Sequence, residues 1–90
     1  MSSLLTKITA GAKVVDVRTP DEFEEEHYPG ALNISVEEVQ GRIAEFGGKN
    51  DPIIVYCATG ARSAYAARVL KMAGFTDVTN AGGLDDMPAA

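Results

Sequence analysis

The run Ile53-Ile54-Val55-Tyr56 is the feature that most limits what this chain can become. β-Branched and aromatic residues with no polar interruption fit a strand buried on both faces, hence a central strand of a parallel sheet. The run ends at Cys57, the single cysteine in 90 residues. A loop of small residues follows. An alanine-rich helix is then expected from about Ala61 to Ala73, where Ala64, Ala66, Ala67 and Ala73 favour helix and allow close packing. A thiol between a strand and a helix N-terminus meets unpaired backbone N–H groups and a partial positive charge. Both stabilise a sulfur anion.

The flanking segments repeat the alternation of strand and helix. Val14-Val15-Asp16-Val17-Arg18 reads as a buried strand that ends in charge. Thr19-Pro20-Asp21-Glu22 is a helix start, with Thr19 as N-cap, Pro20 as first helical residue and Glu22 as the returning partner of a capping box. This helix should end near His27. Tyr28-Pro29-Gly30-Ala31 places Pro and Gly where a type II turn favours them. Leu32-Asn33-Ile34 is a short strand. Ser35-Val36-Glu37-Glu38 repeats the capping-box pattern, and Val36, Val39, Ile43 and Phe46 predict a second helix with one apolar face, weakened by Gly41. Residues 47–52 form a loop. Gly74 suits the left-handed position after the alanine-rich helix, with Phe75 packing back on Leu70. Asp77 to Asn80 is a last short strand, ended by Gly82-Gly83, and Leu84 to Met87 adds a turn of helix. Strands alternating with helices imply an α/β fold with a small, mostly parallel sheet flanked by helices. Sites in such sheets lie beyond the carboxyl ends of the strands, where Cys57 falls.

Length predicts one domain spanning residues 1–90. Thirteen acidic against eight basic residues give a formal net charge of −5, with no basic face for nucleic acid. The acidic runs Asp21-Glu22 and Glu24-Glu25-Glu26 read as a solvated helix face. No apolar run is long enough to cross a bilayer. Ser2 to Thr9 is too short and polar for a secretory signal, so the chain as given points to the cytoplasm, and to the periplasm if a leader was removed. One cysteine with one histidine cannot make a zinc site of the usual kind, and no metal or cofactor is expected. An acidic monomer is the default expectation.

An isolated cysteine is more often an inert buried residue than a nucleophile. Here the neighbours argue for chemistry. Gly60 permits a turn that a Cβ would obstruct. Ala58 and Ala61 keep bulk away, and Arg62 adds positive charge. Successive N–H groups in such a loop make an anion-binding nest.

The segment Cys57-Ala58-Thr59-Gly60-Ala61-Arg62-Ser63 resembles the active-site loop of the rhodanese superfamily, Cys-x-x-Gly-x-Arg followed by a helix-starting Ser. Asp16-Val17-Arg18 with Pro20, Glu22 and Phe23 is similar to a second family segment, and His27-Tyr28-Pro29-Gly30-Ala31 with Asn33-Ile34 to a third. Asn80-Ala81-Gly82-Gly83 resembles the family's double-glycine strand end. The stretch from Asn80 to Met87 is similar to the small single-domain, phage-shock-protein-E type of sulfurtransferase. The resemblance implies a rhodanese-like three-layer fold. It also implies transfer of the sulfane sulfur of thiosulfate, or of another donor, to cyanide or a thiol acceptor by double displacement. Cys57 would be the nucleophile and persulfide carrier. The N–H groups of Ala58, Thr59, Gly60, Ala61, Arg62 and Ser63 would cradle the terminal sulfur, with the Arg62 side chain drawing in the anionic donor.

Cysteine phosphatases, on related scaffolds, need Cys-x5-Arg; here Arg62 closes a shorter ring and Ser63 stands at the phosphatase Arg position, which favours one sulfur atom over a phosphoryl group. A sulfur-carrying or sulfide-sensing module would use the same Cys57, whereas a non-catalytic interaction domain would need neither the cysteine nor the open loop. Asp16 and Arg18 share a strand face and are expected to form a supporting ion pair. Glu22 is expected to cap, and His27 to be structural. Tyr56 and Tyr65 are expected in the core, although both could line the site. Two departures from the family stand out. Met87 occupies a position often held by tryptophan, and a leading strand and helix are short or missing.

Overall fold

The computed structural model describes residues 3–89. Its centre is a four-stranded, wholly parallel sheet in the order β2-β1-β3-β4. The strands are β1 (Lys13–Asp16), β2 (Leu32–Asn33), β3 (Ile53–Cys57) and β4 (Val78–Gly83). The helices are α1 (Ser3–Thr9), α2 (Pro20–Glu25) and α3 (Ala61–Met72). β3 is interior, as its composition predicts, and every residue from Ile53 to Cys57 is buried. Burying an aliphatic side chain of this size contributes about 1.5–3 kcal/mol, so this strand anchors the sheet.

Side chains alternate between the two faces with the period of two that a strand imposes. Val15, Val17, Ile53, Val55 and Cys57 meet Ala66, Ala67 and Leu70 of α3, together with Ile34, Val39, Phe46 and Phe75. Val14, Ile54 and Tyr56 face the other way, against Tyr28, with Leu4 and Ile8 of α1, Leu84 and Met87 packed alongside. Met87 thus fills the expected packing position. A short leading helix is present, and Lys7 on it pairs with Asp77 at 2.7 Å.

The ends of α2 and α3 follow their sequence signals. Thr19 Oγ1 accepts from the Glu22 N–H at 3.2 Å, and Glu22 Oε1 accepts from the Thr19 N–H at 3.0 Å, which completes the capping box. This helix stops at Glu25, slightly before the expected end. After α3, Gly74 takes φ +105°, the Phe75 N–H donates to Leu70 O and the Gly74 N–H to Lys71 O. That is the Schellman pattern. Gly30 takes φ +85° in the predicted turn, and the Ala31 N–H donates to Tyr28 O.

Two expectations need correction. Residues 36–46 do not form an α-helix. They form 3-10 turns over Val36–Glu38 and Gln40–Phe46, interrupted at Arg42 (φ −120°, ψ 28°). Ser35 does not cap them; its hydroxyl donates to Arg18 O at 3.2 Å. The apolar spacing still holds, since Val39 and Phe46 are buried and Val36 and Ile43 pack against the core. The double glycine also does not end β4. The strand runs on to Gly83, with an irregularity that pairs Val55 with Asn80 but Tyr56 with Gly82, leaving Ala81 as the extra residue of a bulge.

Candidate active site

β3 delivers Cys57 to the carboxyl edge of the sheet, and α3 starts four residues later. Gly60, at φ +104°, makes the turn between them and occupies the N-cap position of α3 without any side-chain cap. The uncapped first turn has donors to spare. Two of them turn back on the sulfur: the Gly60 N–H donates to Cys57 Sγ at 3.0 Å and the Ser63 N–H at 3.4 Å. The Ser63 hydroxyl lies 3.4 Å from the same sulfur. The thiol is only 1% exposed, and burial alone would push its pKa up. Burial is the largest single influence, but the hydrogen bonds from Ser63 Oγ, Ser63 N, Gly60 N and Thr59 N together bring the thiol below its ordinary value. The N–H groups of Ala61 and Arg62 have no acceptor among the described residues. Ala58, Thr59 and Ala61 form the exposed rim of the loop.

Arg62 lies at this rim, but its guanidinium is engaged. Nη1 and Nη2 donate to the two carboxylate oxygens of Glu22 at 2.7 and 3.1 Å. Arg62 beside it, with the Thr19 N–H, holds the Glu22 carboxyl down to about 2. Glu22 therefore has two tasks, capping α2 and tethering the cysteine loop to it. Spacing within α2 reveals the first task; the second needs the tertiary fold. Beside the rim lies an open hollow of about 530 Å³ lined by Val36, Glu37, Ala61, Arg62 and Tyr65. Tyr65 is 57% exposed and borders the site, contrary to the expectation of a core role. Tyr56 is in the core as expected, with its hydroxyl accepting from the Tyr28 N–H at 2.9 Å; burial pushes that phenol above its ordinary value.

Asp16 and Arg18 stand at the end of β1, next to β3. Both are buried. Arg18 Nη2 donates to Asp16 Oδ2 at 2.8 Å, its Nε lies 3.1 Å from each carboxylate oxygen, and Nη2 also reaches Glu26 O. The pair fastens the turn leading into α2 and does not contact the sulfur. His27 stacks on Phe23 at 3.8 Å between ring centroids and places Nδ1 2.8 Å from Phe23 O, a structural placement.

Two contributors are not evident from the sequence. Asn80 Nδ2 donates to Gly60 O at 3.3 Å, while its Oδ1 accepts from Ser63 Oγ at 2.6 Å and from the Gly82 N–H at 3.0 Å. Gly83 lies so close to the loop that a Cβ there would stand 2.2 Å from Ala58 O. The Asn-Ala-Gly-Gly pattern is the available signal, but the bulge that brings these residues to the loop is a product of strand register. Among the described residues, no group of three or more His, Cys, Asp or Glu side chains could hold a metal ion, and no helix is long and apolar enough to cross a membrane.

With this geometry in place, similarity to known proteins becomes specific. Residues 2–87 match the Rhodanese-like domain family. The thiosulfate sulfurtransferase PspE of Escherichia coli is 46% identical over 74 residues, which is 81% of this chain and 71% of that protein. The putative sulfur carrier protein YrkF of Bacillus subtilis is 42% identical over 67 residues, 74% of this chain but 36% of that protein. The solved structure of a rhodanese with anions from E. coli superposes with a TM-score of 0.81 at 44% identity, covering 87% of this chain and 95% of that one. A family match over residues 2–87, with 46% identity to a thiosulfate sulfurtransferase over most of both chains, shows that this chain belongs to the rhodanese family of sulfurtransferases.

Proposed function

We propose that this chain transfers the sulfane sulfur of thiosulfate to a thiol or to cyanide through a persulfide on Cys57. In the first step the Cys57 thiolate attacks the outer sulfur of thiosulfate. The new Sγ–S bond forms as the thiosulfate S–S bond breaks, and sulfite leaves with the electron pair. In the second step the acceptor attacks the outer sulfur of the persulfide, and the Sγ–S electron pair returns to Cys57. This is covalent catalysis in two half-reactions, with ping-pong kinetics.

The convergence of the Gly60 and Ser63 N–H groups on Sγ carries this reading. They favour the thiolate in the resting state and again when Sγ departs in the second step. The Ala61 and Arg62 N–H groups, without an acceptor among the described residues, would receive the outer sulfur. Preorganised donors in a water-poor site are worth far more than the same donors in water. Arg62 contributes its N–H and, through Glu22, holds the loop; its charge is largely answered within the protein. Asp16 and Arg18 support the neighbouring turn. The ring is too short for a phosphoryl group held by a bidentate Arg, so sulfur transfer is favoured over dephosphorylation.

Intact-mass measurement after thiosulfate treatment tests the reading. The expected result is a gain of one sulfur atom that disappears on adding a thiol and is absent from Cys57→Ser. An unchanged wild-type mass, with the thiol shown to be reduced beforehand, would falsify it. A second reading, a sulfur carrier with little turnover, is favoured by the similarity to YrkF. Steady-state assay with thiosulfate and cyanide separates the two: multiple turnover supports the enzyme, and loading without turnover the carrier.

A further inference from the structure

The Ser63 hydroxyl carries one proton and is surrounded by atoms able to accept it. Asn80 Oδ1 lies at 2.6 Å, Gly60 O at 3.2 Å, and Gly82 O and Cys57 Sγ at 3.4 Å. The shortest contact takes the proton. Asn80 cannot turn away to release it. Its Oδ1 accepts from the Gly82 N–H and its Nδ2 donates to Gly60 O, so a flipped amide would set donor against donor and acceptor against acceptor. With its proton on Asn80, Ser63 presents a lone pair to the sulfur. A protonated Cys57 can donate to that lone pair. A thiolate is repelled by it and gains Ser63 as a donor only if the hydroxyl rotates and gives up its bond to Asn80.

We propose that Asn80 is a positioning residue: its fixed carboxamide holds the Ser63 proton away from Sγ while the sulfur is neutral and yields it when Sγ becomes charged. The sulfur is neutral as a thiol and again as the inner atom of a persulfide. It is charged in the attacking form and when it leaves in the second step. Asn80 therefore opposes both charged states and steadies the loaded form. The inference deepens the sulfur-transfer reading and rests on it for the persulfide alone; the free thiol follows the same rule. Of the charged groups on the elements packed around the loop, Arg68 and Lys71 of α3 border the open hollow that Asn80 also lines, Glu37 lines the hollow beside the rim, and the others nearest the sulfur are bonded. Glu22 of α2 binds Arg62 of α3, Asp16 binds Arg18 at the end of β1, and Asp86 accepts from the Gly83 N–H after β4.

The test is the pH dependence of alkylation by iodoacetamide, which reads the thiolate fraction of the single cysteine without any sulfur donor. Ser63→Ala removes the donor and should lower the thiolate fraction at a given pH about tenfold, the scale of a hydrogen bond to charge. Asn80→Ala frees the hydroxyl and should raise it about three- to tenfold. In the Ser63→Ala background, Asn80→Ala should change nothing beyond about twofold. A structural role for Asn80 predicts equal effects in both backgrounds, and that result, or a fall in the thiolate fraction with Ser63 present, overturns the proposal. If Asn80→Ala does not fold, Asn80→Asp decides. It strengthens the acceptor facing Ser63 and loses the Nδ2 bond to Gly60 O in both backgrounds alike, so the thiolate fraction should fall further with Ser63 present than without it; equal falls would mean that charge and the lost bond alone act and would overturn the proposal. Persulfide prepared on Asn80→Ala should also unload to β-mercaptoethanol several-fold faster than on the wild type, because a more acidic thiol is the better leaving group. Failure to load sulfur at all would strike the sulfur-transfer reading and leave the alkylation result standing.

Discussion

Two strand-to-helix junctions lie side by side at the carboxyl edge of the sheet, and they are built on opposite plans. The junction from β1 to α2 is closed by side chains. Asp16 and Arg18, both buried, bond each other and the local backbone, and the N-cap of α2 is satisfied by Thr19 and Glu22. The junction from β3 to α3 is lined by main chain. Its N-cap is a glycine, its donors face a sulfur, and no side chain caps the helix. A junction that satisfies itself contributes rigidity. One that leaves donors over can receive a ligand. The Glu22–Arg62 pair joins the two, so the finished junction steadies the open one.

Breaking the closed junction should have the largest effect on stability. Arg18→Met leaves the Asp16 carboxylate buried without its partner and should cost about 3–5 kcal/mol. That is a large share of the about 5–15 kcal/mol that holds a domain folded. Urea unfolding would show it as a drop in midpoint. A midpoint unchanged from wild type would mean that the ion pair does not hold the junction. Cys57→Ser, by comparison, should cost about 1 kcal/mol, since the residue is buried but the change is small and hydrogen-bond donors remain around it.

The middle effect belongs to Gly83→Ala. The added Cβ would meet Ala58 O at 2.2 Å, far inside contact distance, so the loop must move. Overpacking of this kind costs about 1–3 kcal/mol. Transfer should fall about a hundredfold, because misplacing reacting groups by about 1 Å has that scale of effect. A variant that loses stability but keeps the wild-type rate would show that the loop tolerates displacement. Gly60 gives the same lesson by another route. At φ +104°, with a Cβ 3.3 Å from Gly82 Cα, a bulky residue there strains the backbone and presses on β4, so folding and transfer should suffer together.

The tether between the junctions has the smallest effect. Glu22 is depressed from 4.5 to about 2, so its contribution is present above about 4.5 and is lost as pH falls toward about 2. The pair is about one-third exposed, which limits its worth at neutral pH to about 0.5 kcal/mol. Glu22→Gln should therefore unfold slightly more easily than wild type at pH 7, with the two curves converging as the medium is acidified. A gap that widens on acidification would contradict the sign.

These differences also explain what could be read from residues alone. β3, the turn at Gly60, α3 and its Gly74-Phe75 ending depend on local composition and helix-end chemistry, and all were legible. The capping box at Thr19 was equally local. The one at Ser35 was not realised, because the hydroxyl found Arg18 O across the turn instead. Spacing of Val36, Val39, Ile43 and Phe46 identified the buried face but could not distinguish an α-helix from 3-10 turns broken at Arg42. The position of Asn80 depends on how β4 aligns with β3, and a one-residue bulge decides that. Positions where a strand, a loop and a helix each contribute one atom are the hardest to see in a linear pattern.

Seating the cysteine loop by main-chain approach has an evolutionary corollary. Gly83 supports the loop through Ala58 O, and Sγ is held by N–H groups, so the exposed side chains at 58, 59 and 61 carry none of the burden. Those positions can vary so long as Ala58 and Ala61 are replaced by residues that leave the loop open. Descendants of such a chain could trade one sulfur recipient for another by altering three surface residues, while the anchorage of the sulfur itself passed on unaltered.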